Sequence, residues 1–228
     1  MDDLFSDRAL RELILSRTDL ERMQGAVQTL VDCSFEEVDL SGLDMAGWTF
    51  ERCNLRHADV TRANLEGAVW QSCRGAFANF LASDLSDARL VACDFNNATF
   101  KRANLQGARI ERCKLTGADL TDLRGMDVAF DETLLVNANL AGHSFRRSNL
   151  NRIDFSQADL RKCDFRQAHF IECSLREAGM DGARFDGADL RGADLGGVRL
   201  VDASQFRGAT ISREQAGQLL GELGLNVR

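Results

Sequence analysis

Large apolar residues recur at every fifth position along most of this chain. Leu, Phe, Met, Val, Ile or Trp stand at almost every multiple of five from Leu30 to Leu200, and between those limits only Gly75 and Gly125 interrupt the series. Two residues before each large one stands a small one, as at Ala58, Ala63, Ala68, Ala98, Ala103 and Ala118. Asp or Asn lies between them, as in Ala118-Asp119-Leu120 and Ala138-Asn139-Leu140. The unit is therefore A-(D/N)-(L/F)-x-x. A helix needs an apolar period of 3.6 and a flat strand a period of 2, so neither accommodates it. A period of five with two inward positions fits a short extended segment and a corner. Four such sides close a coil of twenty residues, and coils stack at the ladder spacing of about 4.8 Å. Residues 30–200 then give about eight or nine coils and a rod on the order of 40 Å long. Its interior is filled by side chains, with no room for a ligand.

The cysteines support four sides per coil independently. All seven fall on the small inward position, and Cys33, Cys53, Cys73, Cys93 and Cys113 follow one another at intervals of twenty. They form a column of buried thiols acting as small hydrophobes. Gly67, Gly107, Gly117, Gly182, Gly187 and Gly192 precede the small position, where a corner of positive φ is expected. Trp48 and His143 are oversized for small inward positions and predict bulging or partial exposure.

This iterated motif resembles the pentapeptide-repeat family over about residues 30–211. The resemblance implies an all-β, right-handed quadrilateral parallel β-helix with a short C-terminal α-helix. The domain reading is residues 1–29 as an N-terminal cap or imperfect first coil, 30–211 as the β-helix, and 212–228 as a capping and dimerisation helix with its tail. In the first segment, Ser6 is a candidate cap for a helix from Arg8 to Leu15. The alternative, slightly preferred, is an extra coil, since Leu10, Leu15 and Leu20 are already in phase.

After Leu200 the register slips by one, so that Phe206 and Ile211 take the large position and Ala209 the small one. Ser212-Arg213-Glu214-Gln215 then reads as a capping box. Ala216, Leu219, Leu220 and Leu223 share a helical face, and Leu225 and Val227 follow as an apolar tail. This ending resembles that of the quinolone-resistance and microcin-immunity subgroup. The resemblance implies a homodimer through Ala216, Leu219, Leu220, Leu223, Leu225 and Val227. It also implies a DNA-mimicking rod that binds a type II topoisomerase, DNA gyrase or topoisomerase IV, and protects it from poisons. The alternative is a scaffold or adaptor rod docking another bacterial protein.

Net charge is −7, which argues against direct nucleic-acid or anionic-membrane binding. Residues 1–120 carry 14 cationic and 19 acidic residues, net −5, and the remainder is net −2. Glu36, Glu37, Glu51, Glu66, Asp87 and Glu111 are the candidate acidic surface, whereas the Asp residues of the repeat are expected to bond corner backbone groups. Arg146, Arg147, Arg152, Arg161, Lys162, Arg166 and Arg176 make the second half locally basic. The main irregularity lies between Thr121 and Leu134, where Asp122, Leu123, Arg124, Met126 and Asp127 are candidate partner contacts. Gly75 marks a second. No phosphate loop, zinc-protease or nucleophile-elbow motif occurs, and His57, His143 and His169 have no partner at ligand spacing. The reading is a non-enzyme without cofactor, metal or small-molecule substrate. Neither a signal peptide nor a spanning segment is evident, and the expected location is the cytoplasm.

Overall fold

The structure, a computed structural model, describes residues 9–198, 203–222 and 224–227. The chain winds as a right-handed parallel solenoid of about nine coils. Its first side is a nine-stranded parallel sheet in strict chain order. The strands are β1 (Leu10–Arg11), β2 (Thr29–Val31), β3 (Thr49–Glu51), β4 (Val69–Gln71), β5 (Arg89–Val91), β6 (Arg109–Glu111), β7 (Ala129–Asp131), β8 (Asn149–Asn151) and β9 (His169–Ile171). Register advances by twenty at each step, as in Leu30↔Phe50 and Phe50↔Trp70. The other sides are held by single bridges in the same register, such as Asp39↔Asp59 and Asp44↔Asn64. On the second side, β10 (Cys173–Ser174) pairs with β11 (Ala193–Asp194).

The two inward positions make one continuous core. Aromatic rings stack between coils: Phe50 on Trp70 at 3.9 Å, Phe80 on Phe100 at 4.7 Å, and a ladder from Phe145 through Phe165 and Phe185 to Phe206 at 4.9–5.0 Å. Each such pair contributes about 0.5–1.5 kcal/mol beyond its buried area. All seven cysteines are free and buried. Their thiols donate to carbonyls of the coil below, as Cys53 Sγ does to Leu30 O at 3.3 Å and Cys73 Sγ to Phe50 O at 3.2 Å. Thr133 occupies the same column and bonds Ile110 O alike. Burial pushes the thiols of Cys33, Cys163 and Cys173 up, Cys163 to about 12, so they are inert at neutral pH.

Corners need the left-handed backbone, but glycine is not its main supplier. Among the described residues, twenty-five that are not glycine hold positive φ, most of them Asp, Asn, Glu, Gln or Arg. Where the repeat carries Asp or Asn on the other three sides, that residue stabilises the corner by accepting from the amide two residues on, as Asp39 does from Ser41 at 2.8 Å. Gly192 departs from the expectation. It is not among the positive-φ glycines, and a Cβ there would lie 2.4 Å from Phe170 O, so close backbone approach is what selects glycine. Trp48 also departs, being buried at 2% exposure with its neighbours' ladder intact. Beneath it stands Gln28, whose amide turns to Met23 O and Ala26 O and leaves the indole its space.

At the N-terminal end β1 and the bridge Ile14↔Ser34 extend the ladder, so residues 10–14 are not helical. The helix comes later, as α1 (Arg17–Met23), capped by Ser16 and Asp19. Leu20 enters the core from this helix, fully buried, and Arg17 donates to the open carbonyls of Asp39 and Ser41. Ser6 lies outside the described residues. At the other end, Phe185 N–H reaches Gln205 O, one residue beyond the regular register, and a short 3-10 turn (Ala203–Phe206) takes up the slip. α2 (Arg213–Glu222) then covers the last coil. Ser212 and Gln215 exchange capping bonds, and Gln215 Nε2 donates to Leu190 O and Ala193 O at 2.7 and 2.6 Å. A Schellman arrangement at Gly224 closes the helix.

Candidate functional site

The expected irregularity opens a cleft in the wall of the solenoid. On the fourth side the chain runs Leu123–Gly125 at one level and His143–Phe145 at the next. The level below is bonded normally: Arg102, Leu105 and Gly107 donate to Thr121, Arg124 and Met126. The level above is likewise regular, with Gly142, Phe145 and Arg147 donating to Arg161, Asp164 and Arg166. Between the two, the amides of Asp122, Gly125, Asp127, Ser144 and Asn149 make no hydrogen bond across the gap. The carbonyls that would face them, on Ala141, Ser144, Arg146, Leu123 and Val128, receive none from those amides. Only Asp131↔Asn151 joins β7 to β8, where neighbouring strands share up to three pairs.

Three substitutions in the repeat produce this. Gly125 removes the large inward side chain, leaving no ring or branch beneath Phe145. Leu123 and His143 put oversized groups one above the other in a column meant for small residues. The strand from Leu123 onward is drawn to the coil below: Met126 N–H donates to Gln106 Oε1 at 2.7 Å, and a Cβ on Gly125 would lie 2.5 Å from Gln106 N. His143 is wedged between Phe130 and Phe145, its Nε2 buried without a partner, and burial pushes its pKa down to about 4. The resulting cavity holds about 620 Å³, and a second of about 410 Å³ continues it round the corner to Asn149 and Leu150. Met126 stands on the rim, 75% exposed. Asp122 and Asp127 lie on one rim and Arg146 and Arg147 on the other. Among the described residues no ion pair joins the two rims.

Of the predicted irregularity, Asp122, Leu123, Met126 and Asp127 line the cleft, whereas Arg124 turns away to donate to Arg102 O. Sequence reasoning missed the opposite rim. It also missed Phe77, which is 52% exposed at positive φ and stacked on His57 at 5.1 Å. The available signal was an apolar residue standing off both inward registers.

The predicted acidic residues do not converge. Glu51 and Glu111 lie on the first side, Glu36 and Glu37 on the second, and Glu66 and Asp87 on the fourth. Glu51 is paired with Arg52, and Glu111 with Arg89 at 3.7 Å. Arg161, Arg166 and Arg191 clasp Asp159, Asp164 and Asp189 with two bonds each, which holds those carboxyls below their usual range, Asp189 at about 2. Asn64, Asn79 and Asn104 bond Asp44, Asp59 and Asp84 of the coil below. The surface is a patchwork of both signs.

Of the predicted dimer residues, Leu219 is buried against its own coil and Ala216 is half-buried. Leu220, Leu225 and Val227 are 39%, 56% and 56% exposed, and Leu223 lies outside the described residues. Among the described residues no group of three or more His, Cys, Asp or Glu is placed to hold a metal, and no helix is long and apolar enough to cross a membrane.

The sequence matches the family descriptions "Pentapeptide repeat region" over residues 44–120 and "Pentapeptide repeats (8 copies)" over 129–167 and 168–204, together two-thirds of the chain. The chain belongs to the pentapeptide-repeat family. Among solved structures, this pentapeptide-repeat protein is similar to full-length QnrB1, a plasmid-mediated fluoroquinolone resistance protein. They share 20% identity over 95% of this chain and 97% of QnrB1, with a TM-score of 0.64. It is also similar to HetL, a pentapeptide-repeat protein involved in heterocyst differentiation regulation in the cyanobacterium Nostoc sp. strain PCC 7120. That match is 22% identical over 81% of this chain and 86% of HetL, with a TM-score of 0.57. At these identities the likeness is one of fold. A search of curated proteins finds no significant match.

Proposed function

We propose that this pentapeptide-repeat protein is a non-enzymatic docking rod that binds a type II topoisomerase, DNA gyrase or topoisomerase IV, in the cytoplasm and modulates it or protects it from poisons. The observation that carries the reading is the likeness to QnrB1 over 95% of this chain and 97% of QnrB1. Residues 1–29 serve as an N-terminal cap or imperfect first coil, 30–211 as the rod and 212–228 as the second cap and dimerisation element. Gln215 and Leu219 spend α2's inner face on its own coil, so Leu220, Leu225 and Val227 remain for a second copy. The acids are dispersed, with Glu51 and Glu111 paired to Arg52 and Arg89, which makes for partial DNA mimicry at most, with partner contacts concentrated at the cleft and at Phe77. The patchwork surface with exposed Phe77 and Met126 also favours a second reading, an adaptor rod for another protein. A gyrase supercoiling assay with purified protein, with and without a fluoroquinolone, separates them. Rescue or inhibition supports the topoisomerase reading. No effect at large molar excess sinks it and leaves the adaptor.

A further inference from the structure

We propose that the cleft between residues 122–130 and 142–150 binds an extended peptide segment of a partner protein by main-chain pairing with the open ladder. The inference does not rest on the topoisomerase reading and holds for any partner that presents such a segment.

The warrant is the chemistry of the rims. An ordinary apolar pocket offers side chains, but this one offers backbone. The lower rim presents the N–H groups of Asp122, Gly125 and Asp127, and the upper rim those of Ser144 and Asn149. The carbonyls of Leu123, Val128, Ala141 and Arg146 complete the two edges. Unpaired backbone groups in ladder register are what an added strand satisfies, giving affinity through the main chain and specificity through alternate side chains. The volume, about 620 Å³, lies within the usual range of binding clefts. Its inner wall is apolar, formed by Leu120, Leu123, Val128 and the edge of His143, and Gly125 adds no side chain to it. Opposite charges stand on the rims without meeting. Arg146 faces an acidic residue of the occupant, Arg147 being held to Gln167 Oε1 of the coil above at 2.8 Å, and Asp122 and Asp127 face a basic one. The occupant is therefore a short strand with apolar residues at alternating positions and charges of both signs between them.

This chain's own repeat has that pattern, so a capped nonapeptide with the sequence of residues 58–66, which carries Asp59, Arg62 and Glu66 among its apolar residues, is a rational probe. Fluorescein-labelled peptide is titrated with the full chain by anisotropy, and backbone amide shifts are followed by NMR. The expected result is saturable binding, shifts concentrated at Asp122, Gly125, Asp127, Ser144 and Asn149, and none around Gly75. The same peptide with alternate amides N-methylated should bind about tenfold more weakly or worse, because it lacks the donors of one edge. No binding at millimolar peptide overturns the proposal. So does equal binding by the methylated peptide, which would reduce the cleft to an apolar trap, and so do shifts confined to the rod's ends. A supercoiling result bears on none of these outcomes, so either reading can fail alone.

Discussion

Gly75 and Gly125 interrupt the same series of large inward residues, yet the solenoid heals over one and splits at the other. At Gly75 the ring of Phe95, one coil on, occupies the space: a Cβ on the glycine would lie 2.3 Å from Phe95 Cε1. Trp70 and Phe80 hold that ring edge-on at 6.2 and 5.4 Å. The ladder passes unbroken, with Gly75 N–H on Asp94 O at 2.8 Å and Phe77 N–H on Asn96 O at 3.0 Å. At Gly125 no ring moves in, because Phe145 is engaged upward with Phe165, while Leu123 and His143 crowd the neighbouring column. A missing side chain is thus tolerated when the next coil fills the hole. It opens the wall when the adjacent column is overfilled at the same level.

The comparison is sharpened first by Gly75→Leu. The new side chain collides with Phe95 inside a closed core, and a loss of about 3 kcal/mol or more is expected in denaturant unfolding. A near-neutral result would mean that Phe95 does not fill the space. Next comes His143. Its imidazole is neutral in the fold, with a pKa of about 4 against an ordinary 6.5, so the unfolded chain binds the extra proton between those values. Stability is full above about pH 6.5, falls as pH drops toward 4 and levels below it. The span is about 2–3 kcal/mol. Unfolding of the wild type and His143→Ala from pH 7 to 4 should show that span in the wild type alone. Parallel curves would contradict the wedged position of His143. The smallest effect belongs to Met126→Ser, under about 0.5 kcal/mol, because the side chain is exposed and the rim is anchored through backbone and Gln106. A larger loss would mean that Met126 packs into the cleft.

Much of this architecture was legible in the sequence. The period of five placed the two inward columns, and the cysteine spacing gave the twenty-residue coil. Leu123, Gly125 and His143 each broke the pattern visibly. What the pattern did not carry was the contact between coils. That Phe95 closes over Gly75 depends on a ring reaching across levels, and the rim of Arg146 and Arg147 joins the site only once residues twenty apart are stacked. Leu20 was in phase, but a helix delivers it, because the Ser16–Asp19 capping box acts locally where the next coil gives no ladder. Nor does net charge reveal pairing between coils. Asn64 and Asn104 bond their Asp neighbours, and Arg52 and Arg152 pair with Asp32 and Glu132.

The most direct test is residue-resolved amide hydrogen exchange of the free protein. The account predicts that Asp122, Gly125, Asp127, Ser144 and Asn149 exchange at least about tenfold faster than Arg102, Leu105, Gly107, Phe145 and Arg147 on either side. Gly75 and Phe77 should be as protected as their neighbours. Uniform protection along the fourth side would show a closed wall and contradict the account, as would rapid exchange at Gly75.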